Sequence, residues 1–249
     1  SLTFGARDYQ DAYLKGKTFL AITHNGYGGT LTHYEDFITS NVYTITMGTT
    51  TLNNINATST AVTIAASQRV QLGSGIWALS GVGTVWNMNS SGNVDADTGT
   101  IKITSTAASG RTFAGGGKTY YKLVVDNTSS GSHTITGNNT FDTIQNVTPP
   151  KTFSFSNGST QTITNAFLMS GTASNLVTMS STATAWNLSK SSGTVSVDYV
   201  SLTRSQAAGG ASWYAGTHST DGGSNTGWVF SAPPSPSSVE STIFEVIED

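Results

Sequence analysis

A glycine-rich run before Lys118 has residue types that bind phosphate. The run AGGGKT, residues 114–119, combines glycine amides with a lysine and a threonine, as in nucleotide-binding loops. The spacing does not fit such a loop, because Thr112 stands where the motif requires its first glycine and no helical pattern follows. We interpret the run as a glycine turn between two strands.

The histidines and several acidic side chains are the next candidates, for binding a metal ion. None of the four histidines has the spacing of a zinc ligand: His24, His33, His133 and His218. Asp95 and Asp97 would project from one face of a strand, and Asp221 and Asn225 share a glycine-rich turn. Calcium needs about six to eight oxygen ligands, more than either pair offers. The sequence predicts no metal ion and no cofactor.

Paired carboxylates are what an enzyme that cleaves glycosidic bonds requires. The acids in the middle of the chain before Asp221 are all aspartates: Asp95, Asp97, Asp126, Asp142 and Asp198. No glutamate occurs between Asp36 and Glu240, and no G-x-S-x-G nucleophile motif occurs. A polysaccharide depolymerase is therefore a weak hypothesis, and we predict that the chain is not an enzyme.

The composition excludes several kinds of partner. Charged residues make up 10% of the chain, the net charge is −3, and cysteine is absent. Without a cluster of lysine and arginine, the chain lacks the electrostatic footprint of a nucleic-acid-binding protein. No segment has the apolar length that a membrane span requires, and the first residues lack the apolar stretch of a signal peptide. We expect synthesis in a host cytoplasm and retention there until assembly.

Alternation of apolar and polar residues predicts an all-β fold. Segments such as NVYTITM, TIKIT, TFSFS and TVSVDYV alternate with period two and are separated by turn-forming runs. A β-sandwich and a solenoid of stacked coils both fit this pattern. TVWNMNSSGNVDAD, from residue 84, is echoed by TAWNLSKSSGTVSV, from residue 184, which indicates a duplicated unit and favours the solenoid. Stacked coils also explain the few charges, because hydroxyls and amides can bond to like residues above them.

The chain divides into three segments on composition. Residues 1–47 mix charges with aromatics, including Tyr9 and Tyr13, and predict a docking segment with one short helix at THYE, residues 32–35. Residues 48–230 form the predicted solenoid. Residues 231–249 begin with the proline-rich linker SAPPSPSS and end in an extended arm suited to packing on a neighbouring subunit. The apolar assembly residues of this arm are Ile243, Phe244, Val246 and Ile247.

Two segments resemble a recurring module of repetitive β-solenoid proteins. RTFAGGGKTYYKLVV (111–125) and AAGGASWYAGTHSTDGGSNTGWVF (207–230) are similar to modules of bacteriophage fibre-like virion proteins and environmental bacterial surface proteins. The resemblance rests on the spacing of Trp213, the DGG turn and Trp228. It implies a right-handed parallel β-helix and a trimeric fibre or virion attachment, and it supplies no catalytic residue.

These observations predict a structural virion component, either a tail fibre or a head decoration protein. Its expected partners are its own copies, as a homotrimer, and other virion proteins. The alternative is a carbohydrate-binding adhesin or receptor-binding module, on a virion or a bacterial cell surface, that binds host polysaccharide. For that alternative the candidate binding residues are Trp213, Tyr214 and Trp228, whose rings could instead cap the end of the solenoid.

Overall fold

The computed structural model describes residues 1–5 and 7–235 of the chain. The strands of the first half are β1 (Leu2–Phe4), β2 (Gln10–Ala12), β3 (Thr18–Phe19), β4 (Ile22–His33), β5 (Phe37–Thr39), β6 (Tyr43–Leu52), β7 (Ala57–Ser59), β8 (Val62–Ile64), β9 (Arg69–Gln71), β10 (Ile76–Leu79), β11 (Gly83–Met88), β12 (Asn93–Asp95), β13 (Thr100–Ile103) and β14 (Arg111–Ala114). Those of the second half are β15 (Thr119–Val125), β16 (His133–Thr136), β17 (Thr140–Asn146), β18 (Lys151–Phe155), β19 (Thr160–Leu168), β20 (Val177–Ser180), β21 (Trp186–Ser189), β22 (Thr194–Ser196), β23 (Val200–Leu202), β24 (Ser205–Ala208), β25 (Ser212–Tyr214), β26 (Thr220–Asp221) and β27 (Trp228–Val229).

The strands wind into a β-solenoid of about 10 turns. A 14-stranded sheet has the order β1-β4-β6-β8-β11-β14-β16-β18-β20-β23-β26, with β2 beside β4 and with β9 between β6 and β12. A 10-stranded sheet has the order β24-β21-β19-β17-β15-β13-β10-β7-β5-β3, and a small sheet contains β22, β25 and β27. The chain alternates between the two large sheets, and the sheets are parallel. The all-β solenoid is thus confirmed and the β-sandwich is wrong; the right-handed winding stays a prediction.

The first coils repeat at a constant spacing. Phe37 pairs with Ala57, and Ala57 pairs with Trp77, so two successive coils have the same length. Later coils are longer, since Thr160 of one coil pairs with Asn187 of the next. Some of the extra residues lie within strands, since the register between β17 and β19 shifts by one residue between Phe141 and Thr143.

The core between the two large sheets contains a run of contacting aromatic rings that ends at Phe141. Successive ring centroids lie 5.2 Å apart for Tyr43 and Trp77, 6.0 Å for Trp77 and Trp86, and 6.2 Å for Trp86 and Phe113. Period-two alternation aims every second side chain of a strand inward, so parallel stacking places rings above rings. Burial of such rings is the main source of stability in a fold with no disulfide.

The turns also stack, through side-chain hydrogen bonds. Oδ1 of Asp36 accepts a hydrogen bond from the backbone N–H of Asn56 at 2.7 Å, and Oδ1 of Asn56 accepts one from that of Ile76 at 3.0 Å. On a strand, the hydroxyl of Thr51 donates to Oε1 of Gln71 at 2.7 Å. Side-chain oxygens, most of them neutral, thus connect consecutive coils as the composition suggested, without stacking like charges.

Coil-to-coil approach is closest at Gly75. A Cβ atom on this residue would lie 1.8 Å from the carbonyl oxygen of Ile55 in the preceding coil. No side chain fits in that space, so glycine is required here by contact between backbones.

The first 47 residues belong to the same two large sheets as the coils that follow. The short helix expected at residues 32–35 is wrong, because Thr32 and His33 end β4 and pair with Thr51 and Leu52 of β6. A capping-box spacing stabilises a helix only when a helix follows, and here ladder bonding and burial of His33 prevail. Within residues 1–5 and 7–235, no helix has the length and hydropathy of a membrane span.

The echoed Trp-Asn segments do not occupy equivalent places. Trp86 lies on β11 of the 14-stranded sheet, whereas Trp186 lies on β21 of the 10-stranded sheet. Both rings are fully buried. The echo therefore reflects the shared demand of a buried ring followed by a tight turn, and it does not mark one unit repeated in place.

Candidate functional site

Four exposed tyrosines lie on the first two coils, and we call this group the tyrosine surface: Tyr9, Tyr13, Tyr27 and Tyr34. Tyr9 is 87% exposed and Tyr27 is 69% exposed. The parallel pairing of β2 with β4 sets Tyr13 beside Tyr34, and their rings stack at 5.3 Å between centroids and 11° between planes. The guanidinium of Arg7 lies 5.6 Å from the ring centroid of Tyr27. The surface thus offers preformed aromatic area that is open to solvent.

The aromatic exposure is concentrated at this end. Of the 14 large hydrophobic residues exposed in the described part of the chain, seven fall within residues 1–47, and four of those are tyrosines. From residue 48 to residue 235 the one exposed tyrosine is Tyr121. Tyrosine presents a rigid and amphipathic contact area at low entropic cost, so this distribution is typical of a binding face.

A buried polar network supports the same coils from inside. Nε2 of His33 lies 2.8 Å from the hydroxyl of Tyr43, which lies 3.4 Å from the hydroxyl of Thr50. Nδ1 of His24 is 3.1 Å from the same threonine hydroxyl. All four side chains are buried. The network fixes the relative position of β4 and β6 under the tyrosine surface.

Burial keeps these histidines neutral. Desolvation lowers the pKa of His33 to about 3, with a further contribution from His24, and lowers the pKa of His24 to about 4. Burial raises the pKa of Tyr43 well above its ordinary value, although its bond to Thr50 opposes the shift. None of these groups changes charge near neutral pH, so the network has the character of a structural element.

A groove of about 410 Å³ lies farther along the solenoid. It lies where the hydrogen-bonded column of second strands, β6-β9-β12, ends at β12, and the start of β15 lies beside β12 without pairing with it. Asp95 and Asp97 line one wall, and Tyr121 and Asp142 line the other. Tyr121 is 37% exposed, so its ring is accessible from the groove.

Most of the aspartates that a depolymerase would use are already bonded. Asp95 forms an ion pair with Arg69, and Asp126 forms one with Lys102 at 2.7 Å. Oδ1 of Asp142 accepts hydrogen bonds from the hydroxyl of Thr143 and from Nδ2 of Asn165. These contacts hold the carboxylates in place and fit poorly with the mobile proton that a general acid needs. Within the described range, no cluster of metal-ligating side chains occurs.

Asp198 and His218 form the most ordered acid–base pair. Oδ2 of Asp198 lies 2.7 Å from Nδ1 of His218, and the ring of Tyr199 stacks on the imidazole at 4.5 Å between centroids. Burial raises the pKa of Asp198, but hydrogen bonds from His218 and Tyr199 outweigh this effect and lower it overall. Over residues 1–5 and 7–235 no serine hydroxyl hydrogen-bonds to the imidazole, so the pair does not extend into a nucleophilic triad.

The predicted ring platform at the other end is largely inside the fold. Trp213 is buried, pairs in register with Trp228, and lies 5.2 Å from it between ring centroids. Nε1 of Trp213 donates to the carbonyl of Ala208, and Nε1 of Trp228 donates to the hydroxyl of Ser205. Tyr214 is half-buried. This packing favours covering of the core in the last coils over sugar stacking at Trp213.

The predicted assembly residues fall into two groups: two tyrosines that are exposed on the first coils, and the residues of the arm. Tyr9 and Tyr13 lie on the tyrosine surface. The apolar arm residues Ile243, Phe244, Val246 and Ile247 lie outside the described residues. Tyr27 and Tyr34 were missed by sequence reasoning, and the signal that could have found them is the regular spacing of the first coils, which brings Tyr34 beside Tyr13.

Comparison of the chain with protein-family models, curated proteins and solved structures found no match.

Proposed function

We propose that this chain is a non-enzymatic structural component of a bacteriophage particle, a tail fibre or head decoration protein, that assembles through its ends. The observation that carries the assembly proposal is the tyrosine surface, which concentrates exposed aromatic area on the first two coils. The virion setting and the trimeric state rest on the resemblance of residues 111–125 and 207–230 to modules of fibre-like proteins.

The solenoid body suits a mechanical role. Consecutive coils are joined by backbone ladders, by side-chain bonds such as that from Thr51 to Gln71, and by the aromatic core. Such a body is rigid, presents few charges, and leaves recognition to its ends. The aspartates that would serve an enzyme are bonded to basic or amide side chains, which supports a role without catalysis.

The test is the mass of the purified chain in solution, measured by light scattering. We expect an oligomer for the full chain, and a shift to the monomer mass in the double variant Tyr13→Ser/Tyr34→Ser, because the stacked pair supplies contact area. Deletion of residues 239–249 is expected to give the same shift. Tyr121→Ser is the matched control, since it removes an exposed tyrosine outside the surface.

Circular dichroism of each variant separates loss of assembly from loss of folding. A monomer in every form, at concentrations up to about 100 μM, contradicts the assembly proposal, because interfaces of standard size bind more tightly than that.

Carbohydrate binding is the second candidate, and the groove beside β12 favours it. Tyr121 offers a ring face, and Asp97 and Asp142 offer oxygens that can accept hydrogen bonds from sugar hydroxyls. In this alternative the chain is an adhesin or receptor-binding module, and the solenoid displays the groove along its side.

A further inference from the structure

Two buried cations lie together where β14 and β18 begin. Arg111 is fully buried and Lys151 is 6% exposed. Burial is the main cause that lowers the pKa of Lys151, and Arg111 lowers it further, so the two charges interact. The carboxylate of Asp126, which also interacts with Lys151, is already bound to Lys102 at 2.7 Å. This region therefore holds more positive charge than its acidic side chains neutralise.

The terminal nitrogens of Arg111 are occupied in holding loops, whereas its Nε has no hydrogen-bond partner among the described residues. Its terminal nitrogens donate to the carbonyls of Ser105, Ala107 and Ser109 and to the hydroxyls of Ser105 and Ser129. These oxygens belong to the segments before β14 and before β16. Arg111 thus shapes the wall beside Lys151, and no terminal N–H is left aimed at a ligand.

One N–H group of the Lys151 ammonium has no hydrogen-bond acceptor among the described residues. A lysine ammonium carries three N–H groups. Nζ of Lys151 donates to the carbonyl of Thr148 at 2.5 Å and to the carbonyl of Pro150 at 3.0 Å. Two carbonyls satisfy two hydrogen bonds without neutralising the charge, so one N–H and a net positive charge remain for a further partner.

Two cavities share Lys151 as a lining residue. One has a volume of about 310 Å³ and the other about 200 Å³, and they share Ser130, Pro150 and Lys151 as lining residues. The hydroxyls of Thr128 and Ser130 have no hydrogen-bond partner among residues 1–5 and 7–235. Free hydroxyls beside an ammonium group are typical ligands of an oxyanion.

The remaining lining of the two cavities mixes apolar residues with the hydroxyl-bearing residues Ser129, Thr148, Thr152 and Thr178. Pro149 and Pro150 line the larger cavity, and Leu176, which is exposed, lines the smaller one. A ligand that fills this space needs one anionic group for Lys151 and an apolar face for the prolines. A sugar acid has both features, because its ring carries C–H faces and its carboxylate stands at one edge.

We propose that the paired cavities at Lys151 form a binding site for a sugar acid, whose carboxylate accepts hydrogen bonds from Nζ of Lys151 and from the hydroxyls of Thr128 and Ser130. The ring of the sugar packs against Pro149 and Pro150. This site is distant in sequence from the tyrosine surface and does not depend on the assembly proposal.

Isothermal titration calorimetry of the full chain tests this site, with glucuronate as the probe and with glucose and inorganic phosphate as comparators. We expect glucuronate to bind at least roughly tenfold more tightly than glucose, because a hydrogen bond to a charged group is lost with the neutral sugar. Lys151→Met is expected to lower the affinity for glucuronate by a similar factor. Lys190→Met is the matched control, since Nζ of Lys190 also donates to two carbonyls, both at 2.9 Å, and lines neither cavity.

Ser130→Ala keeps the test valid if Lys151→Met fails to fold. Ser130 is exposed, and its replacement removes one donor without disturbing the core; we expect affinity for glucuronate to fall roughly threefold. Equal affinity in wild type, Lys151→Met and Ser130→Ala overturns the site, as does the absence of heat with every probe. Binding of phosphate without binding of glucuronate overturns the sugar acid and leaves a free phosphate-type anion as the ligand.

Discussion

The first coils of the solenoid enclose one linked network of polar rings, whereas the polar rings in the middle coils bond in separate pairs, such as Trp86 with Tyr120 and His133 with Asn127. Under β4 and β6 the core contains His24, His33 and Tyr43, bonded to one another or to Thr50. Farther along, the core column passes through Trp86 and Phe113, which meet at 6.2 Å between centroids. The outer surfaces differ in the same direction, since four exposed tyrosines cover the first coils and one lies on the rest of the described chain.

This comparison distinguishes the middle coils of the solenoid from its first coils. Aromatic packing in the core depends on side-chain volume and accepts many different neighbouring side chains. A core of this kind can therefore be repeated from one coil to the next. The linked bonds of the buried polar network form at only one relative position of their groups, and they leave Nδ1 of His33 without a partner among the described residues. The first coils therefore have the features of a specified binding end, and the middle coils have those of a generic support.

Loss of a core ring in the body has the largest expected effect. Trp86→Ala removes a fully buried side chain and the hydrogen bond from its Nε1 to the hydroxyl of Tyr120. We expect the free energy of unfolding to fall by about 3–5 kcal/mol, measured by urea denaturation.

Tyr13→Ala is the control for this prediction, because its ring is exposed on the tyrosine surface, and we expect a change within about 0.5 kcal/mol. Comparable losses in the two variants would mean that the tyrosine surface belongs to the core and would remove the contrast drawn above.

Acidification has an intermediate expected effect, and it acts first on the first coils. Burial lowers the pKa of His24 and His133 to about 4 and that of His33 to about 3, below the ordinary value of 6.5. The unfolded chain therefore binds more protons below pH 6.5. Stability is complete above that pH and decreases as the pH falls toward the pKa values of the folded chain, with a slope of at most about 1.4 kcal/mol per pH unit for each histidine.

Hydrogen exchange at pH 7 and pH 5 locates this loss. Two of the three histidines lie in β4, so amides of β4 and β6 are expected to lose protection before those of the aromatic middle coils. Uniform loss of protection along the chain would show that the polar network is no more sensitive to acid than the aromatic core of the middle coils.

Removal of a turn contact has the smallest expected effect. Asn56→Ala deletes the oxygen that accepts a hydrogen bond from the N–H of Ile76. We expect a loss of about 1 kcal/mol in the free energy of unfolding, measured by urea denaturation. The control is Asn53→Ala, since Asn53 is exposed and only its backbone N–H forms a bond; a loss as large as that of Asn56→Ala would contradict a specific role for the turn ladder.

The fold was predictable because its main determinant is local. Period-two alternation with frequent turn formers specifies strands, and an echo in a chain poor in charge favours stacking of coils. The capping-box spacing at residues 32–35 predicted a helix that the structure lacks. A local spacing carries no information about the pairing of His33 with Leu52 in the next coil. The echo predicted equivalent positions for the two Trp-Asn segments, and this was wrong. Because the coils differ in length, the second segment lies on the other large sheet.

The candidate sites were less predictable, because they depend on register between distant coils. Tyr13 stood out in the sequence for its charged surroundings, but its stack with Tyr34 requires the pairing of β2 with β4. The groove required knowledge that the second strands stop at β12. Lys151 gave no signal at all, since its burial and its approach to Arg111 follow from loops that lie far apart in sequence.

The lengths of the ladders determine how the solenoid responds to tension. β15 and β17 are joined through six residue pairs, whereas in the last described coil β23 and β26 are joined through two, and so are β25 and β27. A pull along the axis loads the coil interfaces in series, so the interface with the fewest bonds yields first. Under load, the described part of the solenoid is therefore expected to open first at its last coil while its aromatic middle remains wound.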